Sequence, residues 1–315
     1  MKILLLGKNG QLGWELQRSL APLGDVIALD RHSTHFCGDL RNLAGLADTV
    51  RTIQPTVIVN AAAYTAVDKA ESEPELARTI NALAPEVLAR EATQLGAWLV
   101  HYSTDYVFGG GGDQPWREDD PTFPLNVYGQ TKLLGEHMID WVCPRHLIFR
   151  TSWVYAARGG NFAKTMLRLA QERDQLNVIN DQFGAPTGAD LIADVTAHAL
   201  RQVAQSGAKA DTLAGIYHLV ASGGTTWFEY AQHVIAQAQQ LQPALHIQAK
   251  EVNPVLSSAF PTAATRPHNS RLDTSKLQEI FGLTLPQWQD GVGRMLAETI
   301  PIPIPIPIPI PIPAD

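Results

Sequence analysis

A tyrosine and a lysine stand four residues apart in the segment Tyr128-Gly129-Gln130-Thr131-Lys132. Residues at i and i+4 project from one face of a helix, so the phenol and the ammonium are expected to point into one cleft. Moving a tyrosine pKa from about 10 to about 7 requires roughly 4 kcal/mol. A positive charge at about 4 Å, in an effective dielectric of about 20, supplies that amount. The spacing predicts that Lys132 lowers the pKa of Tyr128 and that Tyr128 donates a proton, although solvated helix faces also carry such pairs.

Three further side chains have types suited to a ketone or a sugar. Thr104 follows an apolar run, Trp98 to Tyr102, and its hydroxyl is expected at the end of a strand, where it would hydrogen-bond a substrate carbonyl oxygen beside Tyr128. Asp105 would accept a hydrogen bond from a sugar hydroxyl, or else is a turn residue. Trp153 would form an aromatic wall against a sugar or base, or else packs at a junction between lobes.

A glycine-rich turn lies between the first apolar run, Ile3 to Leu6, and a helical pattern. Its spacing, Gly7-x-x-Gly10-x-x-Gly13, differs from the G-x-G-x-x-G fingerprint of dinucleotide-binding folds. Gly7 permits a tight turn, Gly10 lets a pyrophosphate approach the backbone, and Gly13 lets helix and strand pack closely. The turn predicts a dinucleotide with its phosphates on the positive end of the helix, next to Gln11 and Leu12.

Asp30 closes the second predicted strand, Val26 to Leu29, and lies about 20 residues after the turn, where a carboxylate commonly binds the adenosine ribose of NAD. Arg31, its neighbour, is suited to the 2′-phosphate of NADP, so we expect relaxed choice between NADH and NADPH. A strand-end aspartate that caps a turn is the alternative. The remaining cofactor contacts are expected from Asp39 and Leu40 beside the adenine and from Ala63, Tyr64 and Thr65 at the next strand tip.

Short apolar runs alternate with helical patterns through the first half of the chain. The expected strands are 3–6, 26–29, 57–59, 98–102 and 147–150, and the expected helices include 40–53, about 75–95 and one that carries Tyr128. This rhythm predicts an α/β fold, a Rossmann-type doubly wound parallel sheet over residues 1–150. Residues 151–299 are expected to form a smaller substrate lobe with some crossover to the first domain. The low-complexity Ile-Pro tail, 300–315, should be extended, and we assign it no function.

Composition restricts the partners. A net charge of -7 and a pI near 5.8 do not indicate the basic surface that nucleic-acid binding requires. A small molecule is therefore the expected partner. The two cysteines, Cys37 and Cys143, lack histidine companions at zinc spacing and are expected to be reduced thiols. The short apolar N-terminal run predicts no signal peptide and no later run is long enough to cross a bilayer, so the cytoplasm is the expected location.

Several longer segments of the sequence resemble those of a known family, the dTDP-4-dehydrorhamnose reductases. These segments are the glycine turn followed by Trp14-Glu15-Leu16, residues 60–71, 101–108 and 128–132, and residues 183–189 and 266–276. These reductases belong to the extended short-chain dehydrogenase/reductase group. The resemblance covers nearly the whole chain and stops at the Ile-Pro tail.

The resemblance implies that NAD(P)H reduces the C4 ketone of dTDP-4-dehydro-L-rhamnose to dTDP-L-rhamnose. This is the last step of dTDP-rhamnose synthesis for cell-surface polysaccharide such as lipopolysaccharide O antigen. It further implies that Tyr128 supplies the proton, that Lys132 also holds the nicotinamide ribose, and that Thr104, Asp105 and Trp153 contact the sugar. Some members pair into homodimers through Mg²⁺ and acidic residues. Asp190 and Asp290 are acidic candidates, but spacing alone locates no metal site.

Four rival functions have to be weighed. A dehydratase of this fold typically carries Asp-Glu after the threonine, whereas Tyr106 follows Asp105 here, which disfavours elimination. A sugar-nucleotide epimerase would retain its nicotinamide and consume no NADPH. A non-catalytic NAD(P)-binding regulatory subunit is the rival from another class, and the presence of Thr104, Tyr128 and Lys132 argues against it. An interaction module built on the tail would lose its activity when residues after Thr299 are deleted, which we do not expect.

Overall fold

The computed structural model describes residues 1–300, so the predicted extended conformation of the tail from residue 301 onward lies outside the described residues. The strands are β1 Lys2–Leu6, β2 Asp25–Leu29, β3 Val57–Asn60, β4 Trp98–Thr104, β5 His146–Thr151, β6 Val154–Tyr155, β7 Gln175–Ile179, β8 Phe183–Gly184, β9 Thr187–Gly188, β10 Gly215–His218, β11 Thr225–Thr226 and β12 Glu251–Val255. The α-helices are α1 Gln11–Leu20, α2 Leu43–Ile53, α3 Val67–Ala70, α4 Pro74–Arg78, α5 Ala84–Leu95, α6 Val127–Val142, α7 Phe162–Glu172, α8 Ala189–Gln205, α9 Trp227–Leu241, α10 Ser275–Phe281 and α11 Trp288–Thr299.

Six of these strands form one parallel sheet in the order β10-β5-β4-β3-β1-β2. The chain winds outward from β1 to β2 and then returns to the other side of β1 with β3. The strand order therefore reverses between β1 and β3, which is where open parallel sheets bind ligands at the carboxyl ends of their strands. The predicted Rossmann-type doubly wound sheet is confirmed.

Helices cover both faces of the sheet because the central strands are apolar on both sides. Ile3 and Leu5 of β1 join a core with α1 and α8, whereas Leu4 and Leu6 join a second core with α2, α5 and α6. Successive side chains of a strand point to opposite faces, so one short apolar strand anchors both layers. The central sheet is thereby packed between two layers of helices.

The later part of the chain contributes to the main sheet and also forms a smaller lobe. Strand β10 pairs with β5, and helix α8 packs on α1, although both follow residue 150. Helices α7, α9 and α11 surround an apolar cluster of their own, beside the two-stranded pairs β12-β7, β11-β8 and β6-β9. The placement of a domain boundary at residue 150 stays a prediction.

Some element boundaries differ from the sequence-based ones for local reasons. Helix α2 begins at Leu43 and not at residue 40, because the Asn42 side chain accepts a hydrogen bond from the Gly45 amide and caps the helix there. Strand β4 continues to Thr104, so the threonine is the last residue of the strand, at the carboxyl edge of the sheet. The helix expected over about 75–95 is interrupted by a π-helical segment, Thr79–Leu83, between α4 and α5.

A buried ion pair fastens α6 to the sheet. The Arg150 guanidinium on β5 donates to the Glu136 carboxylate on α6, from Nε at 3.0 and 3.2 Å and from Nη2 at 2.7 Å, and the two side chains are 4% and 0% exposed. Arg150 also donates to the Glu118 carbonyl at 3.2 Å. Removing one partner of such a pair leaves an unpaired charge in the interior. The pair is therefore expected to set the position of α6.

We predict that Arg150→Met lowers the free energy of unfolding by about 3–5 kcal/mol, because Glu136 is left without its counter-charge. Arg90→Met is the matched control, since Arg90 pairs with Glu86 on the exposed surface, where such a pair contributes about 0.5 kcal/mol or less. Urea unfolding measures both variants. Equal, small losses in the two would show that the buried pair does not hold the helix.

Candidate functional site

A cleft of about 930 Å³ opens at the carboxyl ends of the central strands, at the point where the strand order reverses. It collects most of the side chains and backbone predicted to hold a dinucleotide. These are Gly7, Gly10, Gln11, Leu12, Asp30, Arg31, Asp39, Leu40, Ala63, Tyr64, Thr65, Tyr128 and Lys132. Of the predicted cofactor residues, Gly13 does not line the cleft.

The glycine turn has the geometry that a phosphate-binding backbone requires. Gly7 has φ of +91°, and a Cβ there would lie 2.8 Å from the Ala62 nitrogen. Gly13 packs behind the turn, where a Cβ would lie 2.0 Å from the Gly7 carbonyl oxygen. Gly10 is the N-cap of α1 and offers no side chain to the first-turn amides, so those N–H groups are available to an anion in the cleft.

Asp30 follows β2 beside the glycine turn, and its side chain is held as a carboxylate. Its oxygens accept hydrogen bonds from the Asn9 side chain, from the His32 amide at 3.0 Å and from the Ser33 hydroxyl at 3.1 Å. Burial opposes ionisation, but the His32 and Ser33 hydrogen bonds and the nearby Lys8 charge outweigh it and hold the pKa of Asp30 below its ordinary value. Arg31 also lines the cleft and is exposed. A carboxylate and a guanidinium therefore both line this part of the cleft.

Lys132 is buried at the floor of the cleft with 1% of its surface exposed. Its Nζ donates to the Tyr102 carbonyl at 2.6 Å and lies 3.1 Å from His101 Nε2. Burial lowers the pKa of Lys132 to about 8, and the Glu136 charge opposes this shift. The lysine therefore loses its charge at a pH not far above neutrality.

The expectation that Lys132 lowers the pKa of Tyr128 is not what the structure contains. Burial raises the pKa of Tyr128 to about 12, although a hydrogen bond with the Thr104 side chain opposes it. The physical reason is burial of the phenol, and the Lys132 ammonium donates its hydrogen bond to the Tyr102 carbonyl on β4. Tyr128 is therefore a neutral phenol that lines the cleft, which is the form that donates a proton.

The predicted substrate residues lie behind or beside the cleft. Thr104 and Asp105 are buried, with the Thr104 hydroxyl donating to Asp105 Oδ1 at 3.0 Å. Burial raises the pKa of Asp105 to about 7, against hydrogen bonds from Ser270 and Thr104. Trp153 stacks on Trp227 with ring centroids 3.6 Å apart, in the core of the smaller lobe. None of the three predicted substrate residues lines the cleft, and their contact with a sugar stays a prediction.

Two hydroxyls that the sequence reasoning missed face the same floor. Ser103 and Thr151 line the cleft and are buried, and among residues 1–300 neither hydroxyl oxygen has a hydrogen-bond partner. Buried hydroxyls seldom lack a partner, so these two fit a ligand with polar edges such as a nicotinamide. The rule that placed Thr104 at the end of β4 would have found Thr151 at the end of β5.

Asn81 was also missed, and it connects the cofactor side to the tyrosine helix. Its side chain accepts from the Tyr64 amide at 2.8 Å and donates to the Tyr64 carbonyl and the Thr131 hydroxyl, each at 3.1 Å. Thr131 in turn donates to the Tyr128 carbonyl at 2.9 Å. The π-helical segment presents Asn81 here. No sequence signal marks that role, because it depends on contacts 17 and 50 residues away.

The acidic candidates for a metal do not come together within the described chain. Residues 1–300 contain no group of three or more His, Cys, Asp or Glu side chains that could hold a metal ion. Asp190 lies 3.6 Å from Arg294, and Asp290 is exposed in the first turn of α11. The Mg²⁺ site stays a prediction. Over the same residues, no helix is long and apolar enough to span a membrane.

The comparisons with known proteins agree on one family for this chain. The profile described as RmlD substrate binding domain matches residues 1–300. The chain is similar to dTDP-4-dehydrorhamnose reductase of Escherichia coli K12, with 61% identity over 95% of this chain and 98% of that protein. The Salmonella typhimurium LT2 protein of the same name is also 61% identical, over the same shares of the two chains. The resemblance found in the sequence is confirmed.

Solved structures agree. The Bacillus anthracis dTDP-4-dehydrorhamnose reductase in complex with NADP superposes with a TM-score of 0.82, at 34% identity, over 95% of this chain and 100% of that one. The Thermus thermophilus UDP-glucose 4-epimerase with NAD has a TM-score of 0.74 at 20% identity. That second likeness concerns the fold alone.

We predict that Gly13→Ala both destabilises the protein and weakens dinucleotide binding, because the new methyl group collides with the Gly7 carbonyl and displaces the turn. The dissociation constant for NADPH should rise by about tenfold or more, together with a lower thermal midpoint. Gly160→Ala is the control, since a Cβ there meets nothing within 4 Å. Unchanged affinity and stability in Gly13→Ala would contradict the close packing described for the turn.

Proposed function

The chain belongs to the RmlD substrate-binding-domain family, and from that membership we propose that it is an NAD(P)H-dependent reductase of dTDP-4-dehydro-L-rhamnose. The product is dTDP-L-rhamnose, and we place the reaction in the cytoplasm as the final step of dTDP-rhamnose synthesis. The observation that carries the proposal is the position of Tyr128 and Lys132 on the floor of a dinucleotide-sized cleft. The names of relatives 61% identical over nearly the whole chain support the substrate.

The cofactor residues fit either nicotinamide dinucleotide. The phosphates would lie on the free first-turn amides of α1 and against Gly7 and Gly10. The adenosine ribose would donate a hydrogen bond to Asp30, and Arg31 would donate hydrogen bonds to a 2′-phosphate. The nicotinamide end would reach the hydroxyls without protein partners on β4 and β5. When bound, the reduced dinucleotide supplies the hydride.

Side chains on the cleft floor then transfer the proton. As C4 of the sugar gains the hydride, its carbonyl oxygen becomes an alkoxide and takes the proton from Tyr128 Oη. Thr104, the last residue of β4, would assist the phenol. A proton from solvent then restores the phenol. The Lys132 ammonium would hold the nicotinamide ribose by hydrogen bonds.

We predict that Tyr128→Phe lowers kcat at least about 100-fold, because the variant lacks the proton donor, while affinity for NADPH changes little. The assay follows loss of nicotinamide absorbance with dTDP-4-keto-6-deoxy-L-mannose as substrate. Tyr217→Phe is the matched control, because the Tyr217 hydroxyl donates to the Leu213 carbonyl away from the cleft. Full activity in Tyr128→Phe would remove the phenol from the mechanism. No net NADPH consumption by the wild type would favour the epimerase or the regulatory subunit.

We also predict an alkaline limit to activity. Burial lowers the pKa of Lys132 to about 8 and raises that of Tyr128 to about 12. As pH rises through about 8, Lys132 loses its charge while Tyr128 keeps its proton, so kcat/KM should fall. A pH profile measures this limb. A flat profile to well above this value would contradict the assignment of Lys132.

A further inference from the structure

Asn126 is a buried polar side chain beside the site, and the mechanism above does not use it. It is 3% exposed, does not line the cleft, and caps the N-terminus of α6. Its Oδ1 accepts a hydrogen bond from the Gly129 amide at 2.8 Å. Tyr128 lies between these two residues, in the first turn of the helix. The cap therefore fixes the stretch of backbone from which the phenol projects.

The nitrogen of the Asn126 side chain makes a contact outside the helix. Its Nδ2 donates to the Thr265 carbonyl at 2.8 Å, across 139 residues of chain. The Gly129 amide can only donate and the Thr265 carbonyl can only accept, so these partners allow a single orientation of the side-chain amide. One side chain thus joins the helix that carries Tyr128 to a segment far away in the sequence.

That segment, residues 264–270, which we call the strap, is bonded to the smaller lobe. It exchanges two backbone hydrogen bonds with Phe183 at the start of β8, each of 2.7 Å. The next residue of β8 is Gly184, where a Cβ would lie 2.6 Å from the Trp153 ring. The strap is therefore built against the tryptophan that is predicted to contact the sugar.

Two further links complete a triangle around the N-terminus of α6. Asp68 on α3 accepts from the Arg266 guanidinium at 2.6 Å, which ties the strap to α3. Glu71, directly after α3, accepts from the Val127 amide at 2.9 Å, which ties α3 to α6. Glu71 is exposed and Asp68 is partly exposed, whereas Asn126 is buried. The Asn126 bond is thus the buried side of the triangle, and it joins the strap directly to α6.

We propose that Asn126 is a positioning residue for the reduction, which aligns the Tyr128 phenol with the sugar by tethering the first turn of α6 to the strap. The proposal rests on the proposed function, since it concerns the alignment of the proton donor in that reaction. Asn126 acts through Tyr128 and does not touch the reacting atoms. The cap and the tether use opposite ends of one amide, so a substitution can remove the tether and keep the cap.

The test assays wild type, Asn126→Asp and Asn126→Ser with NADPH and the keto sugar nucleotide. Both replacements keep an oxygen that caps α6, and both lack the Nδ2 donor to Thr265. We expect kcat to fall about tenfold in both variants, because small displacements of reacting groups are costly. The value of kcat/KM for the sugar nucleotide should fall by the same factor, because the lost alignment is realised in the transition state. The KM for NADPH and the stoichiometry of NADPH binding should stay at the wild-type values.

The two variants separate the tether from an effect of charge. Aspartate has nearly the shape of asparagine but adds a negative charge close to Tyr128, whereas serine adds none. A loss of kcat in Asn126→Asp alone would assign the effect to charge and overturn the proposal. Wild-type kcat in both variants would overturn it as well. If affinity for NADPH fell together with kcat, the role of Asn126 would be generally structural, which also overturns the proposal.

Asn161→Asp and Asn161→Ser are the matched controls. Asn161 caps α7 in the same way, since its Oδ1 accepts from the Lys164 amide at 3.1 Å and its Nδ2 donates to the Ala156 carbonyl at 2.7 Å. It does not line the cleft. These variants lose an equivalent hydrogen bond, and kcat should stay at the wild-type value. An equal loss of kcat in the Asn161 variants would assign the effect to lost stability and overturn the proposal.

The wild-type assay decides separately on the proposed function. A wild-type chain that does not oxidise NADPH with the keto sugar nucleotide would overturn the proposed function and this inference with it. An active wild type with unimpaired Asn126 variants would overturn this inference alone.

Discussion

A lysine ammonium buried in the protein interior is the constraint on which the site depends. Taking a charge out of water costs several kcal/mol unless polar partners replace the lost hydration. Lys132 finds those partners on β4, in the Tyr102 carbonyl and the His101 ring. Because Lys132 belongs to α6, these bonds fix that helix against the sheet and place Tyr128, one turn earlier, on the floor of the cleft. The Arg150–Glu136 pair fastens the same helix from β5.

The parallel sheet determines where the other residues of the site lie. In an open parallel sheet, the carboxyl ends of the strands meet at one edge, and the strand order reverses between β1 and β3. The glycine turn follows β1, Asp30 follows β2, and Ser103 and Thr104 end β4. Residues far apart in the chain are thereby gathered along one cleft. Along the strand order β2-β1-β3-β4, the cleft presents Asp30 first, then the glycine turn and last the end of β4.

Much of this could be predicted because it depends on local pattern. Short apolar runs give buried strands, the glycine spacing gives the turn, and strand-end positions give Asp30 and Thr104. The direction of side chains could not be predicted, since it depends on distant partners. Lys132 donates to the Tyr102 carbonyl, and burial raises the pKa of Tyr128, which was expected to be lowered. Asn81 and His101 escaped notice because their contacts join segments 17 to 50 residues apart, in part through a π-helical turn.

The central claim is that a bound dinucleotide brings its nicotinamide to Tyr128 and Lys132. A crystal structure of the NADPH complex tests it most directly. The account predicts that the nicotinamide ring lies over the cleft floor, with the reactive ring carbon within about 4 Å of the space that adjoins Tyr128 Oη and Lys132 Nζ within hydrogen-bond reach of the ribose. A nicotinamide that lies at another part of the cleft, with Tyr128 and Lys132 both out of reach, would contradict it.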